Sequence, residues 1–244
     1  MIKNCFLPFY LISLVVISCG SSADKRKKEN EIVNEITKEE TDTVFATKTA
    51  VKDRIISSDS VEISGEKYFA YYTSNDIFFI LNQFDDTVFM DNDLSPMFEF
   101  EDFNKDGFMD IIFCYNSNVP GIYDLLLFDN TKKTFKKVEN FQEFPAPIKI
   151  GKTKYYYSYH RSGCADMNWD SDLFYIDNFK AIRIGNISGI GCENEPNGIY
   201  IHKIKGEKEI PFKTLPIETI CKYKDYKWGF IKEYWTKNYI YFVK

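Results

Sequence analysis

The stretch DFNKDGFMDIIF, residues 102–113, sets four side-chain oxygen donors within nine positions and then runs straight into an apolar segment. Asp102, Asn104 and Asp106 alternate, Gly107 permits a sharp turn, and Asp110 closes the group. No helical periodicity flanks it, so the turn joins two strands rather than two helices. Short candidate strands continue on either side. Upstream are KYFAYYT (67–73), DIFFILNQF (76–84) and MFEFEDF (97–103), and MDIIFCYN (109–116) overlaps the turn itself. Downstream come YDLLLFDN (123–130), TFKKVENF (134–141), KTKYYYSYHR (152–161), DLFYIDN (172–178), AIRIGNI (181–187) and GIYIHKI (198–204). Turn-forming breaks such as DDT, NSNVPG, DNTKK and NEPNG separate them. Many short strands at such spacing predict a mainly β domain over residues 55–244, an antiparallel β-sandwich or a partly closed barrel. Only WGFIKEYWTKN (228–238) and PFKTLPIETICKYK (211–224) read as helical, the second interrupted by Pro211 and Pro216.

Hard cations take oxygen ligands, and alternate donors around a glycine form the first part of an EF-hand loop. The seventh residue, here Phe108, gives its carbonyl in that pattern. The twelfth is Phe113, however, where an EF-hand carries a bidentate Glu. The loop resembles instead the D-x-[DN]-x-D-G-x-x-D turn of integrin-type repeats and similar bacterial β-domains. That resemblance implies a structural calcium ion on Asp102, Asn104, Asp106, Asp110 and the Phe108 carbonyl. The competing reading is a polar turn whose Asn and Asp side chains bond their own backbone.

The N-terminus reads as an export signal. Lys3 supplies a positive charge, Phe6–Ile17 a short apolar core, and VISC (16–19) ends it. The apolar run is shorter than the roughly 20 residues a membrane span needs. VISC resembles the bacterial lipobox, which implies cleavage after residue 18 and lipidation of Cys19. Residues 20–54 carry eight basic and eight acidic side chains and one aromatic, Phe45. Such a segment buries too little apolar surface to fold alone. Residues 19–54 are therefore expected to form a lipidated, flexible, charged tether, placing the chain in the bacterial cell envelope.

Loss of residues 1–18 takes Lys3 from the 31 Lys and Arg, leaving 30 against 36 Asp and Glu. The balance is acidic, and the one basic run, Lys25–Lys28, is followed at once by acids, which argues against nucleic acid as a partner. Four cysteines remain in the domain. An even number in an exported protein favours disulfides. Cys164 and Cys192 lie in glycine-containing loops bracketing one candidate hairpin, so they form the preferred pair, and Cys114–Cys221 follows by elimination. A buried free thiol at Cys114 is the alternative. Zinc is disfavoured because no C-x-x-C knuckle occurs.

No G-x-S-x-G, H-E-x-x-H, P-loop or G-x-G-x-x-G is present, so no enzyme is expected. His160 and His202 fall on separate strands and read as structural. Asp166 and Asp170 suit glycosidase chemistry only as a chance pair. Trp228, Tyr234 and Trp235 are candidates for stacking on sugar rings, with core packing as the plainer reading.

Over residues 98–192 the order of cation-loop hairpin, YDLLLFDNTKKTFKKVENF and YHRSGCADMNWDSDLFYIDNFKAIRI is similar to a family of periplasmic bacterial proteins. Its members include immunity proteins against peptidoglycan-cleaving effectors, similar in fold to lysozyme inhibitors. Lys105 departs from the family's usual aromatic. SGEKY (64–68) resembles the S-G-x-x-Y motif of lysozyme inhibitors, whose Ser enters the enzyme's cleft. The resemblance implies an envelope-anchored binding module that inhibits a peptidoglycan hydrolase. Ser64, Tyr68, Arg161 and Ser162 would be its contact residues. The alternative class is a cell-wall glycan-binding protein or hydrolase.

Overall fold

The computed structural model describes residues 54–192 and 196–243. The expected signal, Cys19 and the tether up to residue 53 lie outside the described residues. The domain is mainly β, as its strand pattern predicts, and none of its sheets closes into a barrel.

Three antiparallel sheets follow one another along the chain. The first is a meander of β1 (Ile55–Ile63), β2 (Glu66–Thr73), β3 (Phe78–Asn82) and β4 (Thr87–Asp91). The second is a meander of β5 (Phe98–Glu101), β6 (Asp110–Cys114), β7 (Tyr123–Asp129) and β8 (Thr134–Lys137). The third comprises β9 (Ile148–Lys149), β10 (Tyr155–Tyr157), β11 (His160–Arg161), β12 (Trp169–Asp177), β13 (Lys180–Ile190), β14 (Gly198–Lys205) and β15 (Lys208–Leu215). Its spatial order is β15-β14-β13-β12-β10-β9, with β11 also paired to β12. One helix, α1 (Tyr226–Asn238), follows.

The second sheet is the middle layer. DIIF and DLLLF are unbroken apolar runs, which suits strands covered on both faces. Ile111, Phe113, Leu126, Phe128 and Phe135 pack with Tyr68, Ala70, Phe78 and Ile80 of the first sheet. Their neighbours Ile112, Leu125 and Leu127 face the other way, onto Phe141, Phe144 and the third sheet's Tyr156, Phe174 and Ala181. The third sheet in turn lays Trp169, Leu173, Ile187, Ile199 and Ile201 against Phe230, Ile231 and Trp235 of α1. The apolar residues of α1 recur at one- and four-residue steps, giving it a single buried stripe.

Two glycines make that last contact possible. A Cβ on Gly189 would run into the Trp169 indole, and one on Gly185 would stand 2.7 Å from the Phe242 ring. The buried indole N–H of Trp235 donates to Ser171 Oγ at 2.8 Å, and that hydroxyl donates to the Ser158 carbonyl at 2.6 Å.

The structure corrects the helical reading of residues 211–224. Their first part completes β15 and the rest is a short 3-10 turn, Ile217–Lys222. β15 is an exposed edge strand, where a proline is tolerated, and next to Pro211 the residue Phe212 is left out of the pairing, a bulge facing the Ile201–His202 step of β14.

Truncating either face of the middle sheet should be costly. Phe113→Ala and Leu125→Ala are each expected to lose about 3–5 kcal/mol in chemical denaturation. Phe84→Ala, in an exposed turn, should stay within about 0.5 kcal/mol. A loss of stability on one face only would contradict the three-layer arrangement.

Candidate functional site

The turn between β5 and β6 bends its carboxylates onto its own amides. Asp102 accepts from the Asp106 and Gly107 N–H groups at 3.0 and 3.2 Å. Asn104 Oδ1 accepts from Asp106 N at 2.9 Å, and Asp106 Oδ1 from Phe108 N at 2.9 Å. Lys105 and Gly107 adopt the left-handed region at φ 59° and 95°, which a tight turn requires. Asp110 is fully buried. It accepts from Phe103 N at 3.1 Å and from Phe128 N at 3.0 Å, tying the turn to β7. Burial pushes its carboxyl up to about 7; the Phe128 amide opposes that rise and the Asp106 charge adds to it.

Lys149, on β9, donates to the Asn104 carbonyl beside this turn. Burial lowers its amine, while the charges of Asp102 and Asp106 act to raise it. Among the described residues, no three His, Cys, Asp or Glu side chains are grouped to hold a metal. The geometry is thus that of the self-bonded turn. The donor set nonetheless consists of hard oxygens alone, although Asp110 Oδ2 already accepts from two amides, those of Phe103 and Asn104. In kind, that set fits calcium.

The second constellation is the loop after β11. Cys164 is joined to Cys192, as its position predicts. Gly163, Cys164, Ala165 and Asp166 all have positive φ, at 109°, 53°, 51° and 71°. Left-handed residues other than glycine are unfavourable by about 1–2 kcal/mol each, so three in succession need outside support. Besides the disulfide, Lys227 provides it: its ammonium lies 2.7 Å from the Asp166 carboxylate and donates to the Asp166 carbonyl at 2.6 Å. Tyr159 donates to the same carboxylate. Burial acts to raise Asp166, but the hydrogen bonds from Lys227 and Tyr159 hold it below the usual carboxylate range. Lys227 is itself buried, 4.6 Å from the centre of the Trp228 ring. The braced loop leaves Arg161 and Ser162 exposed, with Met167 and Trp228 each 52% exposed.

Several expected roles change. Cys114 and Cys221 are not joined, because Cys114 stands half-buried at the end of β6 while Cys221 is exposed in the turn before α1. Ser64 and Gly65, at φ 53° and 83°, form the exposed β1–β2 hairpin turn. Tyr68 is no contact residue. It is 1% exposed, packs edge-on to Phe128 and Phe135, and donates to Glu66 at 2.8 Å. Tyr234 and Trp235 are core, leaving Trp228 alone of that trio on the surface.

The pairing also brings together what the sequence kept apart. His160 pairs with Asp170, Asp170 with Ser188 and Ser188 with Tyr200; Asp172 pairs with Asn186 and Asn186 with His202. Both histidines therefore lie on one face of the third sheet, the face opposite α1. His160 Nε2 is 3.6 Å from Asp170 Oδ2. Burial acts to raise Asp170, but hydrogen bonds from His160, Ser162 and Ser188 outweigh it and keep the carboxyl low. The bond to Asp170 raises His160 despite the opposing effect of burial. Asp172, buried beside Arg183 Nε at 3.1 Å, is pushed up by desolvation against the guanidinium's pull.

No family model and no curated protein matches the chain. Among solved structures, one described as a Xanthomonas type IV secretion system related protein aligns at TM-score 0.40 and 14% identity, covering 64% of this chain and 93% of that one. The Dos1 propeller aligns at TM-score 0.25 and 10% identity, covering 61% of this chain and 55% of that one. Likeness of this depth says nothing about what the chain binds.

Two outcomes test the site. Asp110→Ala strands the Phe128 amide, while the Phe103 amide keeps its 2.9 Å bond to the Glu101 carbonyl; an unsatisfied buried group costs about 1–3 kcal/mol, so the melting temperature should fall clearly. Because His160 titrates above its ordinary 6.5, the stability it adds is complete below that value and is lost as pH rises through the folded one. Urea midpoints between about pH 6 and about pH 8 should drop, and His160→Ala should remove that part of the slope.

Proposed function

We propose that this chain is an envelope-anchored binding module that docks on a peptidoglycan hydrolase and inhibits it through the loop at residues 161–167. The observation that carries the reading is the bracing of that loop. A left-handed segment held by a disulfide and a buried lysine presents Arg161, Ser162 and Met167 beside Trp228. Preorganisation improves affinity because little order has to be imposed on binding, and Trp and Arg are over-represented among residues that dominate interfaces. Arg161 is placed to pair with a carboxylate in the partner's cleft, a charge-assisted contact. The Ser64 turn is a second candidate contact. The hydrolase class itself rests on the resemblance of residues 98–192 and of SGEKY, and the membrane attachment on the lipobox-like VISC.

In this reading calcium is structural. Asp102, Asn104, Asp106, Asp110 and the Phe108 carbonyl would hold it, stiffening the β5–β6 turn.

The soluble domain is expected to slow at least one lysozyme or host muralytic enzyme at stoichiometric concentration. Arg161→Ala should weaken the effect by roughly tenfold or more, a loss typical of a central interface residue. If a panel of lysozyme classes and the host's own hydrolases is unaffected, and pull-down from envelope extract returns none of them, the inhibitor reading fails. Cys19→Ala should leave unprocessed or soluble precursor; unchanged membrane fractionation would remove the anchor. Calcium at a hundredfold excess over Kd should add about 2.7 kcal/mol of stability, and a melting temperature indifferent to calcium and chelator would exclude the ion.

A further inference from the structure

We infer that the face of the third sheet carrying both histidines is a second binding site, for a saccharide of one or two rings. It does not rest on the docking reading, although Ser162 of that loop bonds to Asp170. An open pocket of about 360 Å³ lies there, lined by Asp170, Asn186, Ser188, Tyr200, His202 and Glu209. Its volume falls at the small end of the range for small-molecule sites.

The polar groups of this face are not arranged as a solvated sheet surface. The side chains of Asp170 and Asp172 are only 18% and 2% exposed, although the second sheet's apolar residues meet this face further along, at Phe174 and Ala181. Burying carboxylates is unfavourable unless other groups hold them. Here His160 stands 3.6 Å from Asp170, and the Asn186 amide donates to Asp172 at 2.9 Å. Tyr200 is fixed as well: its hydroxyl donates to the Pro196 carbonyl at 2.7 Å, and its ring lies close over Gly198. Two buried atoms lack a hydrogen-bond partner among the described residues, Arg183 Nε, which is ion-paired to Asp172, and His202 Nδ1, which has no such pairing; buried polar atoms are rarely left so.

The lining selects the ligand by elimination. An anion would meet Asp170 and Glu209 in a lining that includes no Lys or Arg, and Arg183 outside it is engaged by Asp172 at 3.1 Å and Glu143 at 3.6 Å. A metal finds no three suitable ligands grouped among the described residues. An apolar molecule finds one aliphatic side chain, Ile190. What matches carboxylate acceptors, a two-way amide and hydroxyl, an imidazole and a fixed aromatic ring is a neutral polyhydroxylated ring. Hydroxyls donate to the carboxylates and accept from the amide.

The test is a titration of the disulfide-intact domain with N,N′-diacetylchitobiose, maltose and glucose, followed through the imidazole resonances of His160 and His202, with sodium sulfate as the anion control. At least one sugar should shift the His202 signals saturably. Glu209→Gln, on the exposed rim, should weaken that response by about tenfold, the loss expected for a hydrogen bond to a charged group. Ser188→Ala should weaken it by less. Arg161→Ala should leave it unchanged, separating this site from the docking loop. Failure of all three sugars to move either imidazole overturns the proposal, and so does an equal response in Glu209→Gln or a stronger response to sulfate.

Discussion

Burial of both faces of β6 and β7 is the constraint on which the rest of the structure depends. Ile111 and Phe113 point to one neighbour, Ile112 and Leu125 to the other, so the sheet cannot rest against water on either side. A flanking layer is therefore required twice. The first sheet supplies one and the third sheet the other, and the third sheet's remaining apolar face then needs α1. Each later element answers surface left open by the one before.

The same stacking places the two candidate loops. Asp110 begins β6 and accepts from the Phe128 amide of β7, so the acidic turn is tied into the most buried strands. The 161–167 loop sits at the ends of β11 and β12 and is secured from the far side by Lys227 of α1. Its conformation is unfavourable residue by residue and persists because surrounding structure holds it. Such a loop is made rigid by packing, not by its own sequence.

Much of this was legible in the residues. Continuous runs at 111–113 and 125–128 announce strands covered on both faces, and the spacing of Phe230, Ile231, Tyr234 and Trp235 announces one helical stripe. The Cys164–Cys192 pair followed from two glycine-containing loops around one hairpin. What escaped has physical reasons. β1 and β15 are almost wholly exposed, so neither carries an apolar alternation, and prolines in and after β15 mimic a broken helix. Tyr68 looked like part of a short motif, yet it faces the core at the same spacing as Ala70 and Tyr72. The union of His160 and His202 depends on registers across four strands, β11 to β14, which no local pattern encodes.

Amide hydrogen exchange at residues 162–168 tests the braced-loop account most directly. The Ser162, Asp166 and Met167 amides donate to Asn168, Gly163 and Cys164 carbonyls at 2.9, 3.0 and 3.0 Å. They are expected to exchange slowly in the oxidised protein and to lose protection when the disulfide is reduced or Lys227 is replaced by Met. Fast exchange across the loop with the disulfide intact would contradict the claim that it is presented as a rigid binding element.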